Sequence, residues 1–295
     1  MVKYLFENIL GTHIFNNNFK LVMTGKDNIK SKFKDLTPLP DKHISQILSH
    51  FQNKKFFADF YNSNTELTRS QLKASVNDDN LITQTINAIE ETKKTINILA
   101  KRLREWFGLY LPELRVEDHE LYVNIILKDD KNQILKKLKI SDSIGTDLSK
   151  EDLTNIKSLA KEIKALYNII KDQEAYLEKI MTRHCPNLTA LASSLIGAKL
   201  LEQAGSLKHL SEFPSSTIQL LGAEEALFRH LKTKAPSPKY GFLHEHPLVL
   251  NAKSQIRGKV ARTLADKIAI AVKVDFFKGK PIGEKLRKAL EAKFK

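Results

Sequence analysis

The sequence predicts a mainly α-helical protein with three parts: a small N-terminal α/β domain (residues 1–78), a long antiparallel coiled coil (79–184) and an all-helical C-terminal domain (185–295). Three observations predict it. Only 11 glycines and 9 prolines are spread along 295 residues, which favours long uninterrupted elements. Two runs of about four heptads each carry isoleucine or leucine at every seventh position. Short runs rich in Phe, Ile, Val and Tyr are confined to the N-terminal region.

In chain order, Val2 to Leu10 and Phe15 to Val22 read as strands, with Asn16-Asn17-Asn18 as turn residues near their junction. Thr37-Pro-Leu-Pro-Asp41 breaks the chain, and Ile44 to Phe60 holds short helices. Asn77-Asp-Asp-Asn80 is a helix-start signal and a domain boundary. The first heptad run places Ile82, Ile89, Ile96 and Leu103 at a, with Thr85, Thr92, Leu99 and Trp106 at d, and stops before Pro112. The second opens on Ser149 and Asp152 at capping-box spacing. It places Ile156, Ile163, Ile170 and Leu177 at a, with Leu159, Leu166, Gln173 and Ile180 at d, and ends at Pro186. Each helix is then roughly 40–50 Å long. An ordinary pair of amphipathic helices shares much of this pattern, but the sustained a-site Ile/Leu favours a coil. Gln173 and the two threonines at d predict that part of the seam faces something else, such as a second copy of the chain. Beyond Leu188 the helices shorten. Gly258 to Lys273 resumes as a helix with Val260, Leu264, Ile268 and Val272 on one face, and Ile282 to Lys295 is a short basic amphipathic helix.

The charge is unevenly placed. Of a net +14, +12 lies between Arg229 and Lys295, where 17 bases meet 5 acids, and the first 228 residues are nearly neutral. Such a cluster is the footprint of a polyanion binder, above all of nucleic acid. A 42% hydrophobic fraction predicts real cores. One cysteine, Cys185, excludes an intramolecular disulfide framework and a Cys-based zinc module. Glu7 interrupts any apolar leader, and no stretch of 18 or more apolar residues exists, so a soluble intracellular protein with no membrane partner is expected.

Enzyme signatures are missing: there is no phosphate loop, no dinucleotide-type glycine loop and no His-Glu-x-x-His helix. His244-Glu245-His246 lacks a third ligand nearby and reads as a loop beside Pro247, so no metal is expected. Cys185 beside His184 reads as a helix end, not a nucleophile with its base. Glu224-Glu225 reads as the first turn of a helix, complementing its dipole. The basic stretch Lys253-Ser-Gln-Ile-Arg257-Gly-Lys259-Val-Ala-Arg262 carries more weight, because a helix start near Gly258 would offer backbone N–H groups between cations. The aromatics Phe228, Tyr240, Phe242, Phe276 and Phe277 are too sparse for a stacking platform and favour recognition of RNA shape and backbone.

Several blocks resemble the Nop-domain family of box C/D guide-RNA particles, its archaeal members above all. They are Ala204 to Leu210, Pro214 to Leu231, Pro238 to Gly241, His246-Pro247, Arg257 to Lys267 and Ile270 to Asp275. Ile96 to Trp106, Leu111 to Leu114 and Cys185 to Ala190 are similar to the same family, so the resemblance spans residues 80–281. It implies a non-enzymatic scaffold. The N-terminal domain would bind the methyltransferase fibrillarin, which itself would hold S-adenosylmethionine for 2′-O-methylation, so this chain needs no cofactor. The coiled coil would make a homodimer. The Nop domain would bind kink-turn guide RNA together with a small ribosomal-type protein seated on it.

On that resemblance the RNA-facing residues are Lys239, His246, Lys253, Gln255, Arg257, Lys259 and Arg262. Glu224, Glu225, Ala226, Leu227, Phe228 and Arg229 would lie near the guide–target duplex. Where the family carries Gly-Ala-Glu-Lys this chain has Gly222-Ala-Glu-Glu225, so an anion replaces a cation there. An archaeal chain of this kind is expected in the cytoplasm. A place in a spliceosomal particle and a helical RNA-processing enzyme are the alternatives.

Overall fold

A computed structural model describes residues 3–25 and 36–294. Val2 and Lys295, where a strand and a helix were expected to begin and end, lie outside the described residues. The chain divides into two compact units, Met1–Asn77 and Asp78–Lys295.

The first unit holds a four-stranded sheet in the order β3-β2-β1-β4. Strands β1 (Lys3–Asn8) and β2 (Gly11–Phe15) are antiparallel, with Asn8 opposite Gly11. The turn between them is therefore at Ile9-Leu10. Asn16 to Asn18 instead turn β2 into β3 (Leu21–Gly25), where the Asn16 side chain accepts from Asn18 N–H and Lys20 N–H. The expected chain break at Thr37 is also corrected, because Leu36–Pro38 forms β4, parallel to β1. Proline is tolerated there because an edge strand need not donate on its outer side. Helix α1 (Ile44–Phe51) supplies Ile47 and Phe51 to a core with Ile14 and Phe15. Helix α2 (Phe57–Ser75) is longer than expected and buries no residue.

In the second unit α3 (Asp78–Phe107) and α6 (Lys150–His184) pair antiparallel: Arg183 meets Asp78 at 2.6 Å and Lys93 meets Glu174 at 3.1 Å. The eight residues expected in the seam, Ile82, Ile89, Ile96, Leu103, Ile156, Ile163, Ile170 and Leu177, are all buried. The expected d sites are met in part: Ile180 is buried and Leu99, Leu159 and Leu166 pack against the core. The other buried layer lies four residues on, at Ile86, Ala100 and Phe107 in α3 and at Ala160 and Met181 in α6, while Trp106 is 38% exposed. The helices His119–Lys128 and Ser194–Ala204 also pack against the pair, so the buried face is wider than a two-stranded seam. Lys93 and Glu174, four residues beyond Ile89 and Ile170, pair across the two helices with their side chains partly exposed.

The connection between the two helices is folded. Helices α4 (His119–Lys128) and α5 (Lys131–Leu138) bury Tyr122, Val123, Ile126, Ile134 and Leu135 in the same core as the coil. Glu120 binds Lys164 at 2.9 Å and Lys171 at 2.7 Å, fastening α4 to α6.

Six short helices precede the last long one and a seventh follows it. They are α7 (Pro186–Ala192), α8 (Ser194–Ala204), α9 (Leu207–Glu212), α10 (Ser215–Leu220), α11 (Glu224–Thr233), the single turn α12 (Pro247–Leu250) and, closing the chain, α14 (Gly283–Phe294). Helix α8 packs on both α3 and α6, which merges the coil and the C-terminal helices into one unit. Helix α13 (Arg257–Phe276) is the hub, touching α7, α9, α10, α12 and α14 through Val260, Leu264, Ile268 and Val272. Among the described residues no helix is long and apolar enough to cross a membrane.

Candidate nucleic-acid interface

The start of α13 departs from how helices ordinarily begin. A first turn usually carries acids and a side-chain cap, because four N–H groups there lack partners and the dipole is positive. This one has no side-chain cap and no acid, and its first three residues include Arg257 and Lys259. The N–H of Val260 reaches Ile256 O at 3.0 Å, but Gly258 and Lys259 find no backbone acceptor among the described residues.

These groups open into a cavity of about 510 Å³ lined by Gln219, Ser237, Pro238, Lys239, Gln255, Gly258, Lys259 and Arg262. No carboxylate lines it, and Lys239, Lys259 and Arg262 have no ion-pair partner among the described residues. Two contacts position its far wall. Gln219 donates from Nε2 to Lys239 O at 2.6 Å, and Gly241 N–H donates to Gln219 O at 3.0 Å. Residue 241 must be glycine, since a Cβ would stand 1.9 Å from Leu221 O. The Lys239 stem then lies against Gly258, 3.7 Å from where a Cβ would be. Two backbone N–H groups, three cations and two amides lie around one hollow, a set of donors and positive charge chemically suited to phosphate oxygens.

Lys239, Gln255, Lys259 and Arg262 thus come together, and Lys253 is exposed just before the helix. Two other expected residues are placed differently. Arg257 turns back, donating from Nε to Ala252 O at 2.9 Å and from an Nη to Leu250 O at 3.1 Å, so it holds the end of α12 in place. His246 accepts from Leu248 N–H at 3.2 Å with Nδ1, which leaves Nε2 to donate to Leu191 O at 3.1 Å. Burial also lowers its pKa, keeping the ring neutral. It is half-buried and lines a separate cavity with Arg287 and Glu291, apart from the group at the start of α13. Gln219 and Ser237 were missed, because nothing local in the sequence brings them to residue 258.

Helix α11 carries the second group of expected residues. The Glu224 carboxylate accepts from Gly222 N–H at 2.8 Å. Gly222 has φ +85°, and a Cβ there would meet the Phe242 ring at 2.6 Å, so the turn requires glycine. Ala226 and Leu227 are half-buried, whereas Glu225, Phe228 and Arg229 are exposed, Phe228 by 59%. No residue of α11 is buried. The His-Glu-His segment is dispersed: His244 stacks on Tyr240 and Glu245 pairs with Lys199 at 2.8 Å. Among the described residues no group of three His, Cys, Asp or Glu could hold a metal. Cys185 is buried, and burial raises its pKa, so its thiol stays protonated.

Comparison with known proteins adds the following. The family model described as "Nop: snoRNA binding domain, fibrillarin" matches residues 88–295. An uncharacterized NOP5 family protein of Methanocaldococcus jannaschii is 40% identical over 271 residues, which cover 84% of this chain and 66% of that protein. Nucleolar protein 58 of Coccidioides immitis is 40% identical over 228 residues, 71% of this chain and 38% of the relative. The chain therefore spans from about two fifths to just under two thirds of the length of these relatives. A chain from a crystal structure of a fibrillarin/Nop5p complex aligns over 98% of both chains, at 23% identity and a TM-score of 0.48.

Proposed function

The chain belongs to the Nop family, and from that premise we propose that it is a non-catalytic scaffold of an archaeal box C/D ribonucleoprotein. It bridges a kink-turn guide RNA, with a small ribosomal-type protein bound to it, to the methyltransferase fibrillarin for guide-directed 2′-O-methylation. The observation that carries the reading is the uncapped, acid-free start of α13 opening into a cavity with Lys239, Lys259 and Arg262. A fold does not leave cations against a helix N-terminus for its own stability. They serve an anion with many charges, and a phosphate backbone supplies it.

The chemistry and the S-adenosylmethionine belong to fibrillarin, which docks on the first unit. The homodimer forms on the coil. Its seam is filled within one chain, so the second copy uses outward residues such as Ile98, which is 69% exposed. Helix α11 presents Phe228 and Arg229 to the guide–target duplex, and Glu225, three and four residues before them, shares their exposed face.

The test is a titration of kink-turn RNA, pre-loaded with its small protein, against the full chain and a Lys259→Glu, Arg262→Glu variant. Binding falls about a hundredfold in the variant. Equal affinities would sink the reading. Fibrillarin co-purifies with the full chain and is lost when residues 3–77 are removed. Retention after that removal would overturn the docking site.

A further inference from the structure

Helix α13 has a solvent face that continues well past the cavity at its start. Lys259, Arg262, Asp266, Ile270, Lys273 and Phe277 recur at spacings of three and four, which puts them on one face. All six are exposed, while Val260, Leu264, Ile268 and Val272 opposite them are buried. At 1.5 Å per residue the stripe runs roughly 27 Å from Lys259 to Phe277.

Its far end is a fixed structure. Phe277 N–H still donates to Lys273 O at 3.0 Å, Lys278 N–H donates to Asp275 O at 3.3 Å, and Gly279 N–H closes the turn on Val274 O at 2.8 Å. The Phe277 ring stands edge-on to Phe276, with centroids 5.0 Å apart, and is 75% exposed. Lys273, Lys278 and Lys280 surround it in the chain, exposed and without an ion-pair partner among the described residues. Tyr240 is stacked on His244 and Phe242 packs against the core, so Phe277 and Phe228 are the open rings among the five aromatics of this region. A single open ring among unpaired cations suits a nucleobase between phosphates. A protein partner would ask for a broader apolar patch.

We infer that the end of α13 is a second RNA contact, where the Phe277 ring stacks on an unpaired base and Lys273, Lys278 and Lys280 neutralise the phosphates beside it. The inference rests on the reading that the start of α13 holds RNA backbone, and it extends that interface along the helix to a single-stranded segment.

The experiment measures fluorescence anisotropy of the full chain with kink-turn RNA pre-loaded with its small protein. The stem is used alone or with a single-stranded extension of about ten nucleotides on each end in turn. One extension tightens binding about tenfold. Phe277→Ala removes that gain, leaves the bare stem within about twofold, and melts like the parent protein, whereas Phe277→Tyr keeps the gain. Replacing Lys278 and Lys280 by Ala lowers the salt dependence of binding to the extended RNA by about one to two phosphate contacts. The inference is overturned if neither extension tightens the parent protein, if Phe277→Ala retains the gain, or if it weakens bare and extended stems alike. Failure of the parent protein to bind the bare stem would instead remove the reading of the α13 start, and this inference with it.

Discussion

The two long helices α6 and α13 begin in opposite ways. Helix α6 opens on a reciprocal capping box, in which Asp152 N–H donates to Ser149 Oγ at 3.1 Å and Ser149 N–H donates to Asp152 Oδ2 at 3.2 Å. Glu151 and Asp152 complement its dipole. Helix α13 opens with no cap, no acid and two cations. Helix α7 shows a third solution: the Asp275 carboxylate, buried at the far end of α13, accepts from Asn187 N–H at 3.1 Å and Leu188 N–H at 2.8 Å. The Asn187 Oδ1 then accepts from Ile282 and Gly283 at 2.7 and 2.8 Å, which fixes the start of α14. Helices α1, α8 and α10 also begin without a side-chain cap or a first-turn acid, so the cations in the first turn are what set the α13 start apart. Under the proposed function, the partner of those open N–H groups and cations is a phosphate from outside the chain.

The most damaging way to probe this contrast is to give α7 the bare start that α13 has. Asp275→Ala removes a buried acceptor shared by three donors and should cost about 3 kcal/mol. Chemical denaturation checks it, and a loss within experimental error would show that the network is dispensable. Reversing charge at the other start should have the contrary effect. Lys259→Glu places an anion in the first turn of α13 and should raise stability by about 0.5 kcal/mol while weakening RNA binding about tenfold or more. A variant that loses stability along with binding would mean that Lys259 belongs to the fold.

Ser149→Ala breaks the capping box of α6 and should cost about 1 kcal/mol with no change in RNA affinity. The smallest effect expected is in the pH response. Burial depresses the His246 pKa below its usual 6.5, so the unfolded chain takes up a proton first as pH falls. Stability from this group is complete above 6.5 and is lost as pH drops through the lower folded value. His246→Gln should therefore show a smaller fall in Tm between neutral and mildly acidic buffer than the parent protein does.

Much of this was legible in the residues alone. The capping box at Ser149, the helix start at Asp78 and the helix stops around Cys185 and Pro186 follow from local chemistry, because a cap or a proline acts within one turn. The eight buried seam residues follow from period seven. The second layer follows only in part, since both i+3 and i+4 partners of Ile82 are helix neighbours, and tertiary packing buries Ile86 rather than Thr85. In the sheet, apolar composition found β1 and part of β3 but not β2 or β4, because the Ile9-Leu10 turn between β1 and β2 carries no asparagine signal of the kind found at Asn16 to Asn18.

The candidate interface divides in the same way. Composition and charge determine that a basic, mainly helical C-terminal region exists and that its cations outnumber its acids by 17 to 5. Tertiary structure decides which of them are available. Arg257 and Lys259 are two residues apart and look alike in the sequence, yet Arg257 is spent on the carbonyls of Leu250 and Ala252 while Lys259 faces an open cavity. His246 is drawn inward by Leu191, 55 residues away, and Gln219 is brought to the site by a contact 20 residues along the chain. Periodicity and charge are properties of neighbouring residues, which a sequence displays directly. Whether a cation is free depends on which distant carbonyl or carboxylate reaches it first, and only the folded chain settles that competition.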